Sequence, residues 1–403
     1  MTSSGINPLQ IAIAGGSIGG LTAGILLHEL GHDVHIYERS TNALEGRGAG
    51  IVVLPMTERY FTERGSALGE GQAGAADVAL TLTNWSYVDE SGSIVDEAAT
   101  YNRFTSWNTL YRALLEVLPG DRYHLSHYVT GCAQTSQGVT VSFEHGESRD
   151  CDLLVAADGI ASTVRAIVSP HTTTDYAGYV AWRGTVLESD LQADTAAVFE
   201  DAMVYQVLNH AHILAYAIPG PGDSIIPGER ALNFVWYRNA PGPEFEELMV
   251  DRNGVHRPAT MPPGLAQDRF VTEIRHDAER LLAPQLRELV LVCEEPFIQA
   301  IFDMAADRFV HGRIALIGDA ATALRPHVAA GTAKACADGW ALRDYLGTGD
   351  DLDASLADWE RQQLELAQTV AGKSRRMGER AQFESTMVPG DPDWRFGLFG
   401  PGN

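Results

Sequence analysis

The chain opens with a short apolar segment that leads directly into a glycine-rich turn. Residues 9–14 are mostly apolar, and the sequence GGSIGG occupies residues 15–20. Leucine and isoleucine side chains then recur at helical spacing until Gly31, and residues 34–38 are typical of a second strand. A strand, a glycine turn, a helix and a second strand within about 30 residues predict a dinucleotide-binding βαβ unit.

The glycine turn is a candidate pyrophosphate site because the first turn of a helix offers free N–H groups and the positive end of the helix dipole. Glu38 lies at the end of the second strand, where a carboxylate can bind ribose hydroxyls. Ser17 replaces the second glycine of the G-x-G-x-x-G pattern. An ordinary tight turn is the alternative, but the flanking strand, helix and Glu38 favour a nucleotide site.

Two later strand ends carry an acid–glycine pair. The apolar residues 153–157 precede Asp158-Gly159, and residues 314–317 precede Gly318-Asp319. Each pair alone is typical of a turn. Because ligands bind at the carboxyl ends of parallel strands, we expect the three segments to form one cofactor site.

The rest of the chain predicts a second domain and a helical end. Alternating residues at 78–88 and a strand-rich texture at 176–237 indicate an antiparallel sheet, whereas residues 340–346 and 352–377 have helical spacing. We therefore expect an α/β protein with an inserted sheet domain. The predicted nucleotide-binding domain comprises residues 1–75, 101–170 and 290–385, the sheet domain 76–100 and 171–289, and an irregular tail 386–403.

Charge and apolar patterning limit the partners. The chain has 29 Lys and Arg residues against 53 Asp and Glu residues, a formal net charge of −24 that disfavours nucleic acids and anionic membrane surfaces. No segment has the apolar length of a membrane-spanning helix or the pattern of a signal peptide, so we expect a cytoplasmic protein without a membrane partner. The His and Cys spacings suggest no metal site.

Taken together, these motifs resemble the single-component FAD-dependent aromatic hydroxylases of the para-hydroxybenzoate hydroxylase type, over nearly the whole chain. The resemblance rests on the glycine turn, Glu38-Arg39, residues 47–51, the two acid–glycine motifs, and Pro326, Gly331 and Asp338. It implies a Rossmann-like FAD-binding domain of the glutathione-reductase type, an inserted, mainly antiparallel sheet that binds substrate, and a helical C-terminal segment. Residues 50–53, 179–184, 218–220 and 325–331 are closer to members that act on dihydroxypyridines.

The resemblance implies a monooxygenase that uses FAD, NADH or NADPH, and O₂ to hydroxylate an electron-rich aromatic ring through a flavin hydroperoxide. We expect tightly but non-covalently bound FAD, 2,6-dihydroxypyridine or a similar hydroxypyridine as substrate, and possible assembly as a homodimer. A phenol, an oxopurine or a biosynthetic polycycle is an alternative substrate. An NAD-dependent dehydrogenase and a non-catalytic flavin-binding protein are alternative functions.

The family motifs also assign residues to the cofactor. The expected FAD-binding residues are Gly15, Gly16, Ser17, Ile18, Gly20, Glu38, Arg39, Arg47, Gly50, Ile51, Val52, Asp158, Asp319, Ala330, Gly331 and Thr332. Thr322, Ala329 and Ala333 depart from the family pattern. Trp107 stands where many relatives carry an FAD-contacting Arg or Gln, so whether Trp107 or Arg112 contacts FAD stays open at this point.

Three side chains are candidates for the proton chemistry of a hydroxylase. His212 and Tyr216 lie four apart on a predicted strand and point to one face, and His327 follows Pro326 in the loop expected beside the flavin. Removing a proton from a ring hydroxyl would make the ring more reactive, which assigns His212, Tyr216 and His327 as catalytic candidates. Hydrogen-bonded core residues are the alternative interpretation. Tyr179, Arg183 and Trp236 are candidates for either a pocket wall or the core.

Overall fold

The computed structural model describes residues 6–44, 49–65 and 79–400. The strands in chain order are β1 (Gln10–Ala14), β2 (Asp33–Tyr37), β3 (Gly50–Val53), β4 (Leu80–Val88), β5 (Ile94–Ser106), β6 (Tyr123–His124), β7 (Val129–Gln134), β8 (Val139–Phe143), β9 (Ser148–Cys151), β10 (Leu153–Ala156), β11 (Asp175–Leu187), β12 (Ala202–Leu208), β13 (Ala211–Ile218), β14 (Ala231–Asn239), β15 (Thr260–Met261), β16 (Phe297–Ala305), β17 (Val310–His311), β18 (Ile314–Leu316) and β19 (Thr322–Ala323).

Helices connect and cover these strands. They are α1 (Ile18–Glu29), α2 (Pro55–Thr62), α3 (Trp107–Val117), α4 (Thr163–Val168), α5 (Ala193–Val198), α6 (Gly242–Leu248), α7 (Asp268–Leu281), α8 (Pro284–Val292), α9 (Gly331–Thr348) and α10 (Leu352–Glu379). A π-helical turn, Arg380–Glu384, continues α10. None of the helices in the described ranges is both long and apolar enough to cross a membrane.

The first sheet carries the predicted nucleotide-binding unit. In the described chain its strand order is β17-β18-β10-β1-β2-β6, and every neighbouring pair except β17 and β18 is parallel. The strands β1, β10 and β18 are almost fully buried, as expected for a parallel sheet covered on both faces. The three predicted cofactor segments therefore leave neighbouring strands at the same edge.

The second sheet is the predicted antiparallel one. Its order is β15-β16-β11-β14-β13-β12-β4-β5-β3, with β19 paired to β16, and β12 and β4 are its parallel pair. Four strands place parts of this sheet in ranges assigned above to the nucleotide-binding domain, namely β3, the end of β5, β16 and β19. The division of the chain into domains stays a prediction.

Local sequence explains where the helices begin and end. Helix α3 begins at Trp107 because the Ser106 hydroxyl accepts a hydrogen bond from the Thr109 N–H at 3.0 Å and caps the helix. Helices α7 and α8 follow each other closely, since α7 ends at Leu281 and Pro284 starts α8. Residues 386–400 form neither helix nor strand, as predicted for the tail.

Candidate active site

Two neighbouring cavities lie at the strand ends of the first sheet. One of about 190 Å³ lies beside the glycine turn, Tyr37, Glu38 and Arg39. The other, of about 410 Å³, lies between the first sheet and the second. Ser17, Ala157 and Gly159 line both cavities, so the strand ends of the first sheet connect them.

The glycine turn has a backbone that only glycine fits. Gly15 has a φ of +100°, and a Cβ atom there would overlap the carbonyl oxygen of Ala157. A Cβ atom at Gly20 would overlap the carbonyl oxygen of Gly15. Ser17 is the N-cap of α1 and its side chain makes no capping hydrogen bond. The helix N-terminus thus opens onto both cavities and fits an anionic group such as pyrophosphate.

The Glu38 side chain, at the end of β2, forms a hydrogen bond with the glycine turn. One carboxylate oxygen accepts a hydrogen bond from the Gly16 N–H at 2.9 Å, and the other accepts from the N–H and hydroxyl of Ser40. The side chain is buried yet lines the smaller cavity, beside the exposed Arg39. Because each carboxylate oxygen has two lone pairs, Glu38 can bind a ribose hydroxyl and still hold the turn.

Asp158 makes hydrogen bonds within its own segment, the second of the three predicted cofactor segments. Its carboxylate accepts hydrogen bonds from the Ser162 hydroxyl at 2.5 Å and from the Val164 N–H at 3.2 Å. The buried guanidinium of Arg165 then donates to the carbonyl oxygens of Ile160 and, at 3.1 Å, Ala320. Arg165 therefore joins the second cofactor segment to the third.

The third segment presents a carboxylate to the larger cavity. Asp319 is exposed and lines this cavity with Gly331 and Thr332 at the start of α9. Ala330 is buried and is the N-cap of α9, outside the lining of either cavity. Ala329, which departs from the family pattern, has a φ of +53°, a left-handed conformation that favours glycine.

Residues from the second sheet form the opposite wall. Gly50, Ile51 and Val52 on β3 line the larger cavity, and so does Trp107. Arg112 instead forms an ion pair with Asp223 at 2.6 Å. Of the other expected cofactor residues, Ile18 lines the larger cavity, Gly20 packs beneath the turn, and Arg47 lies outside the described residues.

All three catalytic candidates line the larger cavity. His212, Leu214 and Tyr216 share one face of β13, as the alternation predicted. The rings of His212 and His327 are 5.3 Å apart, and Tyr237 stacks on His212 at 4.6 Å. Tyr216 packs 4.3 Å from the ring of Phe104, further along the wall.

Burial keeps both histidines neutral. Desolvation lowers the pKa of His212 to about 3 and holds the pKa of His327 well below the usual value for histidine. His327 Nε2 is 2.7 Å from the Tyr179 hydroxyl, and its buried Nδ1 makes no hydrogen bond to any described residue. His212 Nδ1 lies 3.2 Å from the Gln382 amide. Burial raises the pKa of Tyr216 to about 12, so its hydroxyl keeps its proton at neutral pH.

Some pocket residues match the sequence interpretation and others were missed. Arg183 lines the cavity and donates to Gln299 Oε1 at 2.9 Å, whereas Tyr179 supports His327 from behind and Trp236 is buried on the opposite face of β14. Sequence analysis did not single out several wall residues, namely Tyr205, Val235, Tyr237, Gln299, Trp394 and Phe396. The alternation of Val235 and Tyr237 around Trp236 was the one available signal.

Comparisons with known proteins place this geometry in context. Residues 176–303 match a family model described as FAD binding domain-like. The chain is 38% identical over 391 residues to 2,6-dihydroxypyridine 3-monooxygenase of Paenarthrobacter nicotinovorans, covering 96% of each chain. A solved 2,6-dihydroxypyridine-3-hydroxylase from Arthrobacter nicotinovorans superimposes with a TM-score of 0.91 at 36% identity, covering 97% of each chain. A Klebsiella pneumoniae protein solved with FAD and uric acid has a TM-score of 0.74 at 24% identity, covers 93% of this chain and 89% of its own, and shares the fold.

Proposed function

Because the chain belongs to the FAD-dependent aromatic hydroxylases, we propose that it adds one oxygen atom to a hydroxypyridine, with 2,6-dihydroxypyridine as the first candidate. Family membership confirms the predicted fold class, the FAD cofactor and the monooxygenase activity. It also removes the NAD-dependent dehydrogenase from the alternatives.

The described residues fit FAD in its expected place. The glycine turn and the uncapped N-terminus of α1 suit a pyrophosphate, and Glu38 with Arg39 suits the adenosine half. Asp319, Gly331 and Thr332 line the cavity where the ring system belongs. Bound FAD supplies the redox chemistry, taking electrons from NADH or NADPH and delivering one oxygen atom from O₂ to the substrate ring.

The protein contributes a largely aromatic pocket with few charges. Tyr205, Tyr237, Trp394 and Phe396 line the cavity together with the neutral histidines. An aromatic ring can stack here while its hydroxyl groups meet imidazole nitrogens. Transfer of a proton from a ring hydroxyl to an imidazole would leave a negative ring beside a positive imidazolium, and this charge pair would raise the pKa of that histidine in the complex. A buried wall also limits the access of water to the reacting atoms.

One observation carries the proposal of a hydroxypyridine substrate: a single cavity has the FAD-binding segments along one wall and His212, His327 and Tyr216 along the other. Arg183 adds a positive charge to that wall, which suits a ring with ionisable hydroxyl groups. Two relatives that are 36–38% identical over nearly their whole length carry 2,6-dihydroxypyridine in their names.

The experiment is a substrate screen on the purified holoenzyme. The FAD content is measured first, and then NADH or NADPH oxidation, O₂ uptake and product mass are followed with 2,6-dihydroxypyridine, a phenol and an oxopurine. We expect the dihydroxypyridine to stimulate oxidation most and to gain one oxygen atom. Cofactor oxidation without any hydroxylated product from the dihydroxypyridine would contradict the proposal.

We further propose that the chain forms a homodimer and that it divides, as predicted above, into a discontinuous nucleotide-binding domain and an inserted sheet domain. Light scattering on the eluted holoenzyme tests the assembly. A mass equal to the 43.6 kDa chain would contradict the dimer.

A further inference from the structure

The C-terminal segment, residues 386–400, is irregular in backbone but buried along much of its length. Met387, Trp394, Phe396 and Leu398 are all buried and pack with the cavity wall of the second sheet. A surface tail without helix or strand would expose such side chains. This segment is therefore part of the packed structure around the larger cavity.

Several contacts hold the segment in place. Arg380 pairs with the buried Asp391, the Lys373 ammonium donates to the Arg395 carbonyl oxygen at 3.0 Å, and the Gly397 N–H donates to the Val328 carbonyl oxygen at 3.1 Å. The last contact reaches the loop that carries His327. The segment is thus anchored to α10 and to the flavin-side loop.

Trp394 lies at the point where the segment meets both histidines. Its ring is 5.5 Å from the His212 ring, in an edge-on arrangement, and 5.7 Å from the His327 ring. Phe396 packs beside it against Trp85, with ring centroids 4.8 Å apart. Both Trp394 and Phe396 line the cavity, whereas Trp85 does not.

Taking up the proposed function, we propose that Trp394 is a specificity-determining residue that limits the size of the aromatic ring the pocket accepts. The indole is the largest side chain in contact with the space between His212 and His327, and it belongs to no strand or helix. Shortening it lengthens the pocket at that end and leaves the sheet wall and the cofactor segments in place. Phe396 keeps the new space closed to solvent.

The test compares a one-ring probe, 2,6-dihydroxypyridine, with a two-ring probe, 2,4-dihydroxyquinoline. For wild type, Trp394→Ala and Trp394→Phe holoenzymes, the dissociation constant of each probe is read from the change in the bound-flavin spectrum, and turnover and product mass are measured in parallel. We expect Trp394→Ala to shift the ratio of affinities toward the two-ring probe by about tenfold and Trp394→Phe to shift it less, in the same direction.

Trp85→Phe is the matched control, because it also shortens a buried indole near Phe396 but leaves the cavity lining unchanged. An unchanged ratio of affinities in both variants would overturn the inference. If Trp394→Ala does not fold, an unchanged ratio in Trp394→Phe alone would overturn it. An equal shift in Trp85→Phe would also overturn it. A wild-type enzyme that binds both probes but hydroxylates neither contradicts the proposed function alone, since the affinity ratio still tests the size limit.

Discussion

The Lys334 ammonium lies 2.7 Å from Asp338 Oδ2, and both side chains are buried on the first turns of α9. The same carboxylate oxygen accepts a hydrogen bond from the Gly318 N–H at 2.7 Å. The ion pair thus supports the turn that presents Asp319 to the larger cavity. A second oxygen of Asp338 is buried without a hydrogen-bond partner among the residues described, so this carboxylate depends strongly on Lys334.

Replacing Lys334 with Met should destabilise the protein, because it leaves a buried carboxylate without its counter-ion. We expect the free energy of unfolding to fall by about 3–5 kcal/mol, measured by urea denaturation. Arg361→Met is the control, since its ion pair with Asp358 is exposed and should contribute less than about 1 kcal/mol. Equal losses in the two variants would contradict the structural role of the buried pair.

Gly15→Ala should abolish FAD retention, because the added Cβ overlaps the Ala157 carbonyl oxygen and deforms the turn. We expect the purified variant to lose the flavin absorbance and to show at least about a tenfold weaker FAD affinity by calorimetry. Gly31→Ala is matched to it, since Gly31 also has a positive φ, of +92°, but has open space around its Cβ position. A variant Gly15→Ala with the normal FAD content would show that the turn does not bind the cofactor.

Lowering the pH should reduce the free energy of unfolding, because His212 is buried in its neutral form. Its pKa is about 3 in the folded protein and about 6.5 in an unfolded chain, so the unfolded chain binds more protons between these values. The contribution of His212 to stability is complete above pH 6.5 and decreases as the pH falls, by about 2 kcal/mol at pH 5. We expect His212→Asn to unfold with a flatter dependence on pH from 7 to 5. An unchanged slope would mean that His212 is not desolvated.

The proton acceptor should be a histidine, since the raised pKa of Tyr216 keeps that hydroxyl protonated at neutral pH. Removing the acceptor should lower kcat by about 10²-fold or more, whereas Tyr216→Phe should change it by less than about 3-fold. The comparison uses His212→Ala and His327→Ala, with hydroxylated product counted against NAD(P)H consumed. Unchanged turnover and coupling in either histidine variant would remove that residue from the mechanism.

Local patterns predicted that the three glycine-containing segments lie side by side, because each segment follows a strand of one parallel sheet. The GGSIGG turn, Glu38 and the two acid–glycine motifs each follow a strand, and parallel strands bring their ends together. The alternation of His212 and Tyr216 predicted their shared face for the same reason. The roles of these residues in catalysis stay predictions.

Long-range contacts could not be predicted in this way. Trp394 lines the pocket because the irregular segment that carries it is anchored to α10 and to the loop of His327. No periodicity in the sequence marks its position. Gln299 lines the wall and accepts a hydrogen bond from Arg183 on the neighbouring strand, a pairing that no local pattern marks. The burial that holds the pKa values of both histidines low arises from residues far apart in the sequence, and spacing within one strand carries no information about it.

The guanidinium of Arg165 donates hydrogen bonds to the carbonyl oxygens of Ile160 and Ala320, which lie far apart in the sequence. A ribosome must therefore release residues up to the middle of α9 before Arg165 can bind the Ala320 carbonyl oxygen and Asp338 can bind the Gly318 N–H. Until then the emerging polypeptide has a glycine turn but no complete binding cleft. Loading of the prosthetic group is consequently a late event in the biogenesis of this enzyme, after synthesis of most of its length.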